Sequence, residues 1–390
     1  MPVPVYFADM RSSSQNSSTI VKIRRLLEAA GLAGIVAKDD LTAIKVHFGE
    51  LGNDAFVSPV FARAAADAIR EAGGKPFFSD TNTLYTGSRS NAVDHLETAV
   101  LHGFEKAVSG APAIIADGLM GKDYREVRIG KKWFENAKIA SAFLDADAMV
   151  VVSHFKGHMM AGFGGAIKNL AMGCAPAAGK REQHSCRFFV KSDRCTACGA
   201  CVKVCPAGAI ALKPIVETER DRGGSGEAGA APSTALKAAF IDKSLCIGCG
   251  ECAARCPVKT ISMDWSVEIV EFTEKMTEYA YAASVGKKGK ILHLLFVRSV
   301  VPDCDCSPWA DAPLVADIGV LASTDPVAID KAAFDLVTAA PAAAGSEAEG
   351  KAGPGDDKFT AVHPETRGLV QVEYGEAIGL GSRDYELVRI

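Results

Sequence analysis

The chain has 390 residues, a formal net charge of -4 at pH 7 and 48% hydrophobic residues. This length allows two or three domains with a sizeable core, and the slightly acidic balance argues against a general affinity for nucleic acid or anionic membranes. The N-terminal MPVPVYFADM has neither a basic region nor an apolar stretch, and no apolar run is long enough to span a bilayer. We therefore expect a cytoplasmic protein with no nucleic-acid or membrane partner.

Apolar strand patterns alternate with helical patterns along the first 153 residues. Strands this apolar are usually covered by helices on both faces, so the pattern predicts an α/β domain with a mostly parallel sheet. Helices are predicted for residues 19–30 and 91–104, with a third capped by Ser58 and ended by Gly73. The predicted strands are residues 3–8, 41–48, 75–79, 113–116 and 148–153.

Polar side chains follow several of these strands. Sheets of this kind bind ligands beyond the carboxyl ends of their strands. The rule directs attention to His47, which follows the second strand, to Asp80, which ends the third, and to His154, which follows the 148–153 strand. We take His47 as a candidate for cofactor binding.

A glycine-rich stretch follows the 148–153 strand. Dense glycines let backbone amides approach a ligand closely, and a lysine there supplies positive charge toward a phosphate or carboxylate, although a tight connection without a ligand has the same pattern. His154 and His158 are four residues apart and would share one face of a helix, but the glycines make a helix uncertain. The catalytic candidates are His158, Lys168 and His154, and the further cofactor-binding candidates are Gly162, Gly164 and Gly165.

Two cysteine runs of the form CxxCxxCxxxCP lie about forty residues apart, one from Cys195 and one from Cys246. In such runs three sulfurs bind one [4Fe-4S] cluster, and the fourth faces away and binds the other cluster. The stretch resembles the bacterial-type two-cluster ferredoxins over residues 191–263. The predicted ligands are Cys195, Cys198, Cys201 and Cys256 for cluster 1, and Cys246, Cys249, Cys252 and Cys205 for cluster 2.

Zinc knuckles and disulfides are the alternatives for these runs. Zinc sites use two cysteine pairs, and disulfides require an oxidising compartment. Of the remaining cysteines, Cys304 and Cys306 form a Cys-x-Cys turn beside two aspartates. This turn is a candidate half-site for an additional Zn, Fe or Ni ion, completed by a residue such as His184 or His158; two reduced cysteines without a metal fit the pattern equally well.

The cysteine runs interrupt the α/β pattern. A helix over residues 265–284 and a strand over 291–298 follow them, and we expect these to complete the first sheet, although a separate C-terminal domain is an alternative. The predicted domains are residues 1–187 and 265–390 for the α/β domain and 188–264 for a small α+β insert. Residues 217–234 and 340–357 are polar and glycine-rich and are predicted to be flexible loops.

Four motifs together resemble one protein family. These are KVHFGELGN at residues 45–53, HFKGHMMAGFGGAIKNLAMG at 154–173, the turn from Asp303 to Cys306, and ASTDPVAID at 322–330. They look like the iron-sulfur family catalogued as domain of unknown function 362. The resemblance covers nearly the whole chain and implies a two-cluster ferredoxin insert in a larger α/β domain. It implies no reaction.

A second resemblance concerns the glycine-rich stretch alone. His158, Lys168 and His184 occur at spacings similar to those in the active-site run of lactate racemase. That resemblance implies proton transfer by His158, attachment of a nickel-pincer nucleotide to Lys168 and nickel ligation by His184. The racemases have no ferredoxin insert.

The predicted function is an iron-sulfur oxidoreductase in which two [4Fe-4S] clusters pass electrons to or from a small-molecule or metal site around His154, His158, Lys168 and Cys304. One alternative is a non-redox racemase-like or isomerase-like enzyme acting on a small organic acid, with structural clusters. Another is an electron carrier or assembly subunit with no substrate. The expected partners are a redox partner protein or small-molecule electron donor, and a small anionic substrate.

Overall fold

An eight-stranded sheet organises the larger of the two units into which the chain divides. The computed structural model describes residues 1–85, 87–184, 187–205, 207–215, 237–246, 251–264 and 269–390. Unit 1 comprises Met1–Thr83, Gly87–Lys180 and Ile269–Ile390, and unit 2 comprises Leu84–Thr86 and Arg181–Glu268. The predicted loop 217–234 lies outside the described residues.

The strands of both units are numbered in chain order. They are β1 Val3–Asp9, β2 Leu41–Lys45, β3 Lys75–Asp80, β4 Ala113–Ile115, β5 Tyr124–Arg128, β6 Asn136–Ala140, β7 Ala148–His154, β8 Lys156–His158, β9 Gly162–Gly164, β10 Arg187–Val190, β11 Ile210–Pro214, β12 Lys237–Ile241, β13 Ile261–Asp264, β14 Ile291–Val297, β15 Gly319–Ser323 and β16 Tyr385–Arg389.

The helices are numbered in the same way, and short 3-10 turns at Gln15–Ser17 and Ser192–Arg194 accompany them. They are α1 Thr19–Ala29, α2 Leu32–Ile35, α3 Pro59–Glu71, α4 Ala92–Leu101, α5 Lys106–Ser109, α6 Ser141–Asp145, α7 Ala166–Cys174, α8 Ala177–His184, α9 Ala200–Val204, α10 Glu251–Ala254, α11 Ile269–Val285, α12 Pro326–Ala339, α13 Lys358–Val362 and α14 Val370–Ala377.

The large sheet has the strand order β16-β1-β15-β14-β7-β2-β3-β4. Five neighbouring strands, from β14 through β4, run parallel, and β15 runs antiparallel to both of its neighbours. The predicted α/β class with a mostly parallel sheet is therefore confirmed. At the centre of the sheet β14 pairs with β7. The strand β14 follows the second cysteine run and β7 precedes the first cysteine run, so both sides of the insert contribute to one sheet.

Both faces of the sheet are covered by helices. On one face, alternate residues such as Ile44, Val150 and Leu294 form a core with apolar side chains of α1 and α3. On the other face α7 and α12 contact the central strands. Because β7 and β14 are buried along their whole length, their sequences are continuously apolar rather than alternating.

Unit 2 consists of two small antiparallel sheets, β10 with β13 and β11 with β12, and the short helices α9 and α10. Its core contains apolar residues of the strands together with cysteines. The buried members of that core are Phe188, Cys195, Cys201, Ile210, Ala238, Ala239, Ile241, Cys252 and Ile261.

Residues 340–357 are not flexible as predicted. The stretch forms successive turns, Ala343 N–H donates to the Leu314 carbonyl at 2.8 Å, and Ala348 is fully buried. The Lys358 ammonium donates to the carbonyls of Thr338 and Gly353, both at 2.6 Å. Side-chain hydrogen bonds of this kind replace helix or sheet, so a glycine-rich composition alone gave the wrong expectation.

In the described part of the chain no helix is long and apolar enough to cross a membrane.

A buried ion network lies at the carboxyl ends of β2 and β3. Lys45 Nζ is 3.0 Å from Asp80 Oδ1, and Arg89 Nη1 is 3.6 Å from Asp80 Oδ2. Arg89 Nε is also 3.1 Å from a Glu50 carboxylate oxygen. Burial alone would raise the pKa of Asp80, but the neighbouring cationic side chains, Lys45 first, hold that pKa below its usual value. The carboxylate therefore compensates two buried cations at the strand ends.

Asp80→Asn is expected to lower the free energy of unfolding by about 3–5 kcal/mol, because it leaves buried cations without compensation. Urea unfolding followed by circular dichroism measures this change. Asp39→Asn is the matched control, since the 3.0 Å Lys75–Asp39 pair has side chains 62% and 63% exposed. The control is expected to lose less than about 1 kcal/mol. Equal losses in both variants would contradict a compensating role for Asp80.

Candidate functional site

Three segments of unit 1 meet at the carboxyl edge of the sheet. They are the 47–53 loop after β2, the 154–168 segment that continues from β7, and the 302–307 turn after β14. Glu50 N–H donates to the Asp305 carbonyl at 3.0 Å, and Gly157 N–H donates to the Val301 carbonyl at 2.8 Å. Parallel strands end at the same edge, so segments far apart in sequence lie together.

Two thiols and an imidazole form the centre of this site. A ring nitrogen of His158 and the Sγ atoms of Cys304 and Cys306 all lie within 4.8 Å of one another. Lys168, in the first turn of α7, places its Nζ 3.3 Å from Cys304 Sγ. His158 and Cys304 are buried and Cys306 is half-buried. The predicted catalytic pair His158 and Lys168 is thus brought together with the Cys-x-Cys turn.

The two thiols are electrostatically different. The hydrogen bond from Cys306 and the Lys168 ammonium hold the pKa of Cys304 well below its usual value, despite burial. The same hydrogen bond raises the pKa of Cys306. Burial alone would lower the pKa of Lys168, but Cys304 and Cys306 raise it above the usual lysine value. The arrangement favours a Cys304 thiolate paired with the Lys168 ammonium and a protonated Cys306.

A second, fully buried group lies directly behind the thiols. The Asp305 carboxylate pairs with His154 Nδ1 at 2.7 Å and with Lys156 Nζ at 3.1 Å. Burial alone would raise the pKa of Asp305, but the charges of His154 and Lys156 hold it well below the usual value. The Asp305 carboxylate is therefore engaged by His154 and Lys156. The expected half-site is found in part: Cys304 and Cys306 lie with His158 in a group of three ligand atoms that could hold a metal ion, while the Asp305 carboxylate pairs with His154 and Lys156.

His154 has a hydrogen-bond acceptor at each ring nitrogen. Nδ1 meets the Asp305 carboxylate, and Nε2 lies 2.9 Å and 3.0 Å from the carbonyls of Arg298 and Ser299. Carboxylate and carbonyl oxygens only accept hydrogen bonds, so both nitrogens donate. In this arrangement His154 positions Asp305. Its catalytic role stays a prediction.

His158 has the opposite hydrogen-bond pattern. Its Nδ1 accepts the N–H groups of Met160 at 3.1 Å and Ala161 at 3.0 Å. The Nδ1 atom therefore carries no proton, and the neutral ring carries its proton on Nε2. The ring also lies parallel to Phe272, with centroids 6.5 Å apart. Such a ring is fixed as a proton donor, whereas a metal-ligating histidine usually donates its second nitrogen to an acceptor.

The predicted cofactor-binding glycines contact protein atoms. A side chain at Gly165 would lie 2.2 Å from an Asp330 carboxylate oxygen, and one at Gly162 would lie 2.7 Å from Gly368 Cα. The Asp330 carboxylate accepts the first amides of α7, from Ala166 at 2.6 Å and Ile167 at 2.9 Å. These amides already have an acceptor in the protein, and burial raises the pKa of that carboxyl group to about 7. Ligand binding by Gly162, Gly164 and Gly165 stays a prediction.

The remaining predicted residues have different positions. His47 is partly buried beside the site and accepts the Gly49 N–H at Nδ1. Burial and the charge of Arg89 hold the pKa of His47 well below its usual value. His184 ends α8 and belongs to unit 2, so its role as a metal ligand stays a prediction.

Lys156 is a site residue that the sequence analysis missed. It follows β7 as the first residue of β8, so the 154–158 segment is extended and not helical. Alternate residues of an extended segment share a side, which places His154, Lys156 and His158 along one side. The polar residues His154, Lys156 and His158 alternate in sequence after the predicted 148–153 strand, and this alternation could have identified Lys156 as a site residue.

An open cavity lies beside the site in unit 1. Its walls include Phe56, Phe61, His154, Phe296 and Arg298. The walls also include Asp54, so the cavity combines aromatic side chains with one cationic and one anionic side chain. Arg298 Nε already pairs with Asp317 at 2.8 Å, so a ligand would share that cation.

The four cysteines predicted for cluster 1 line one cavity of unit 2. Three of them, Cys195, Cys198 and Cys201, belong to the first run, and the fourth, Cys256, belongs to the second. Backbone amides point at the sulfurs: Ala197 and Ala239 donate to Cys195 Sγ, and Thr260 donates to Cys256 Sγ, each at 3.4 Å. None of the described cysteines is in a disulfide.

The cysteines predicted for cluster 2 are described in part. Cys205, Cys246 and Cys252 lie in or against the unit 2 core. Cys205 Sγ accepts the Ala209 N–H at 3.2 Å. Cys249 lies outside the described residues, so the second ligand set stays a prediction.

Comparison with known proteins gave three results. A family model described as "Domain of unknown function (DUF362)" matches residues 42–335. A pyruvate-flavodoxin oxidoreductase of Enterobacter agglomerans is 31% identical over 96 residues, which are 23% of this chain and only 8% of that protein. The lactate racemase apoprotein structure from Thermoanaerobacterium thermosaccharolyticum is 13% identical, with a TM-score of 0.34, over 71% of this chain and 49% of that chain.

Gly157→Ala is expected to disturb the site, because a Cβ there would lie 2.0 Å from the Pro302 carbonyl oxygen. Backbone atoms cannot move aside as a flexible side chain can. We therefore expect the free energy of unfolding, measured in urea, to fall by about 1–3 kcal/mol. Gly34→Ala is the matched control, since no heavy atom lies within 4 Å of its added Cβ. Gly34 is in a helix, and its substitution is expected to stabilise by up to about 1 kcal/mol. A neutral Gly157→Ala variant would contradict the close approach.

Proposed function

We propose a function from the premise that this chain belongs to the DUF362 family, as its sequence motifs predicted. Because the family description names no activity, the function is inferred from the residues of the chain itself. We propose an iron-sulfur redox protein in which two [4Fe-4S] clusters in unit 2 exchange electrons with the thiol-containing site of unit 1. A redox protein or a small-molecule donor would supply the electrons, and the cytoplasm is the proposed compartment.

The observation that carries this proposal is the position of Cys256. It belongs to the second cysteine run, yet it lines the same cavity as Cys195, Cys198 and Cys201 of the first run. Exchange of the fourth cysteine is the ligand pattern of two-cluster ferredoxins. The amide N–H groups directed at Cys195 and Cys256 would stabilise the negative charge of a bound cluster.

The spacing of these thiols supports a cluster rather than zinc. Four sulfurs at about 2.3 Å from one zinc ion would be about 3.8 Å from one another. Within the described ranges, no three of the predicted cluster cysteines have sulfurs mutually within 4.8 Å. The described sulfurs are therefore not arranged around a single zinc ion.

The proposed destination of the electrons is the site of His158, Lys168, Cys304 and Cys306. Cys304 Sγ lies 3.3 Å from the Lys168 ammonium, and both sulfurs lie within 4.8 Å of a ring nitrogen of His158. These groups can hold charge and donate protons during reduction. The relative that matches over 96 residues is named a pyruvate-flavodoxin oxidoreductase. That name agrees with electron transfer and gives no substrate for this chain.

Anaerobically purified protein is expected to contain about eight irons and eight sulfides per chain. Paired substitutions test the exchange of ligands. Cys195→Ala with Cys256→Ala removes two ligands of one proposed cluster, so about four irons should remain. Cys246→Ala with Cys256→Ala removes one ligand from each proposed cluster, so both clusters should be weakened or lost. Iron and sulfide analysis with electron paramagnetic resonance of the reduced protein measures both outcomes.

Cys174→Ala is the matched control, because Cys174 is a buried free thiol of unit 1 and is expected to leave the iron content unchanged. If each run held its own cluster, the Cys195→Ala/Cys256→Ala variant would lose both clusters and the Cys246→Ala/Cys256→Ala variant would lose only one. That result would contradict the exchange of ligands. Zinc in place of iron would overturn the proposal as a whole.

A further inference from the structure

We propose that Cys304 and Cys306 are a redox-active pair. Oxidation joins them in a disulfide, and this disulfide accepts two electrons when it is reduced to the two thiols. This inference rests on the proposed function, because the two clusters are the proposed source of single electrons. It names the acceptor that the proposed function leaves open. The pair would store two electrons that arrive one at a time.

The geometry of the turn supports disulfide formation. The Sγ atoms of Cys304 and Cys306 lie within 4.8 Å of each other. The Cys306 N–H points at Cys304 Sγ at 3.4 Å, and the Ser307 N–H closes the turn on the Cys304 carbonyl at 2.9 Å. A disulfide across so short a loop is strained, and strained disulfides are more easily reduced. Electrons from low-potential clusters would therefore reduce it readily.

Lys168 distinguishes this pair from a metal site. Its ammonium lies 3.3 Å from Cys304 Sγ, where it would repel a divalent cation bound to the same sulfur. The same ammonium stabilises the thiolate that a broken disulfide releases. A lysine at this position thus favours thiol chemistry over metal ligation.

His158 supports the same assignment. Its Nδ1 accepts two backbone N–H groups, from Met160 and Ala161, so the ring holds its proton on Nε2. A metal at Nε2 would require loss of that proton while Nδ1 still accepted two hydrogen bonds. A ring nitrogen of His158 lies within 4.8 Å of both sulfurs, which places the ring near the thiols that take up a proton on reduction.

The proposed step is balanced in atoms and charge. The S–S bond breaks, two electrons enter the pair, and two reduced clusters are each oxidised by one electron. Cys304 leaves as a thiolate beside Lys168, and Cys306 takes one proton, which His158 donates and solvent restores. Oxidation of the pair by an acceptor that takes two electrons would reverse these changes.

An anaerobic reductive titration tests the proposal. Iron-loaded protein, oxidised with diamide and freed of excess oxidant, is titrated with titanium(III) citrate. The unsubstituted chain is expected to accept about four electrons, one per cluster and two for the disulfide. Cys306→Ser and Cys304→Ala should each accept about two, with both clusters retained. Cys174→Ser, which alters a buried cysteine elsewhere in unit 1, should still accept about four.

Iodoacetamide labelling with mass spectrometry identifies the acceptor directly. The peptide that contains both cysteines should take up no label after oxidation and two labels after reduction. Two labels in both states, with about two electrons accepted per chain, would overturn the disulfide and leave the clusters standing. One zinc, nickel or extra iron that Cys306→Ser loses and Cys174→Ser keeps would also overturn it, in favour of a metal site.

Failure of the proposed function gives a different result. A chain without iron that still forms the Cys304–Cys306 disulfide would contradict the clusters and keep the redox pair. The retained absorbance and electron paramagnetic resonance signal of the clusters show whether each variant is folded. The two proposals can therefore fail separately.

Discussion

The buried carboxylate of Asp305 is the interaction on which the site depends. A carboxylate without access to water is tolerated only beside compensating charge, which His154 and Lys156 provide. Those residues lie on the segment that continues from β7, while the Asp305 carbonyl accepts the N–H of Glu50 from the loop after β2. One charged residue thus ties together three segments of the sheet edge. Because Cys304 and Cys306 flank it, their thiols are held wherever Asp305 is held.

The sheet was largely predictable because its central strands are buried on both faces. Burial on both faces produces continuous apolar runs, and the predicted strands correspond to β1, β2, β3, β4, β7 and β14. The edge strand β16 and the β5–β6 hairpin were missed, since partly exposed strands lack that signal. The antiparallel β15 was also missed, although all five of its residues are buried. Strand order was equally out of reach: nothing local in the sequence says that β14 lies beside β7.

The sequence predicted which residues form the site better than it predicted the contacts between their atoms. The predicted residues His158, Lys168, Cys304 and Cys306 do lie together. Their roles depend on which atom meets which partner, as with the two amides on His158 Nδ1 or the carboxylate on His154. The glycines of the 162–165 stretch show the same limit. Composition predicted close approach, and only the fold shows that the approaching groups include Asp330 and Gly368.

The pairing of β7 with β14 also bears on how the chain is made. Met149 pairs with Ile291, so on the ribosome β7 is complete long before its partner exists. Until then the half-sheet of β7, β2, β3 and β4 has an open edge at β7, a strand that is buried along its whole length in the folded protein, and such an edge invites pairing with other chains. Unit 2 is synthesised during that interval. The order of synthesis therefore gives chaperones a defined strand edge to protect and gives unit 2 time to fold before unit 1 closes.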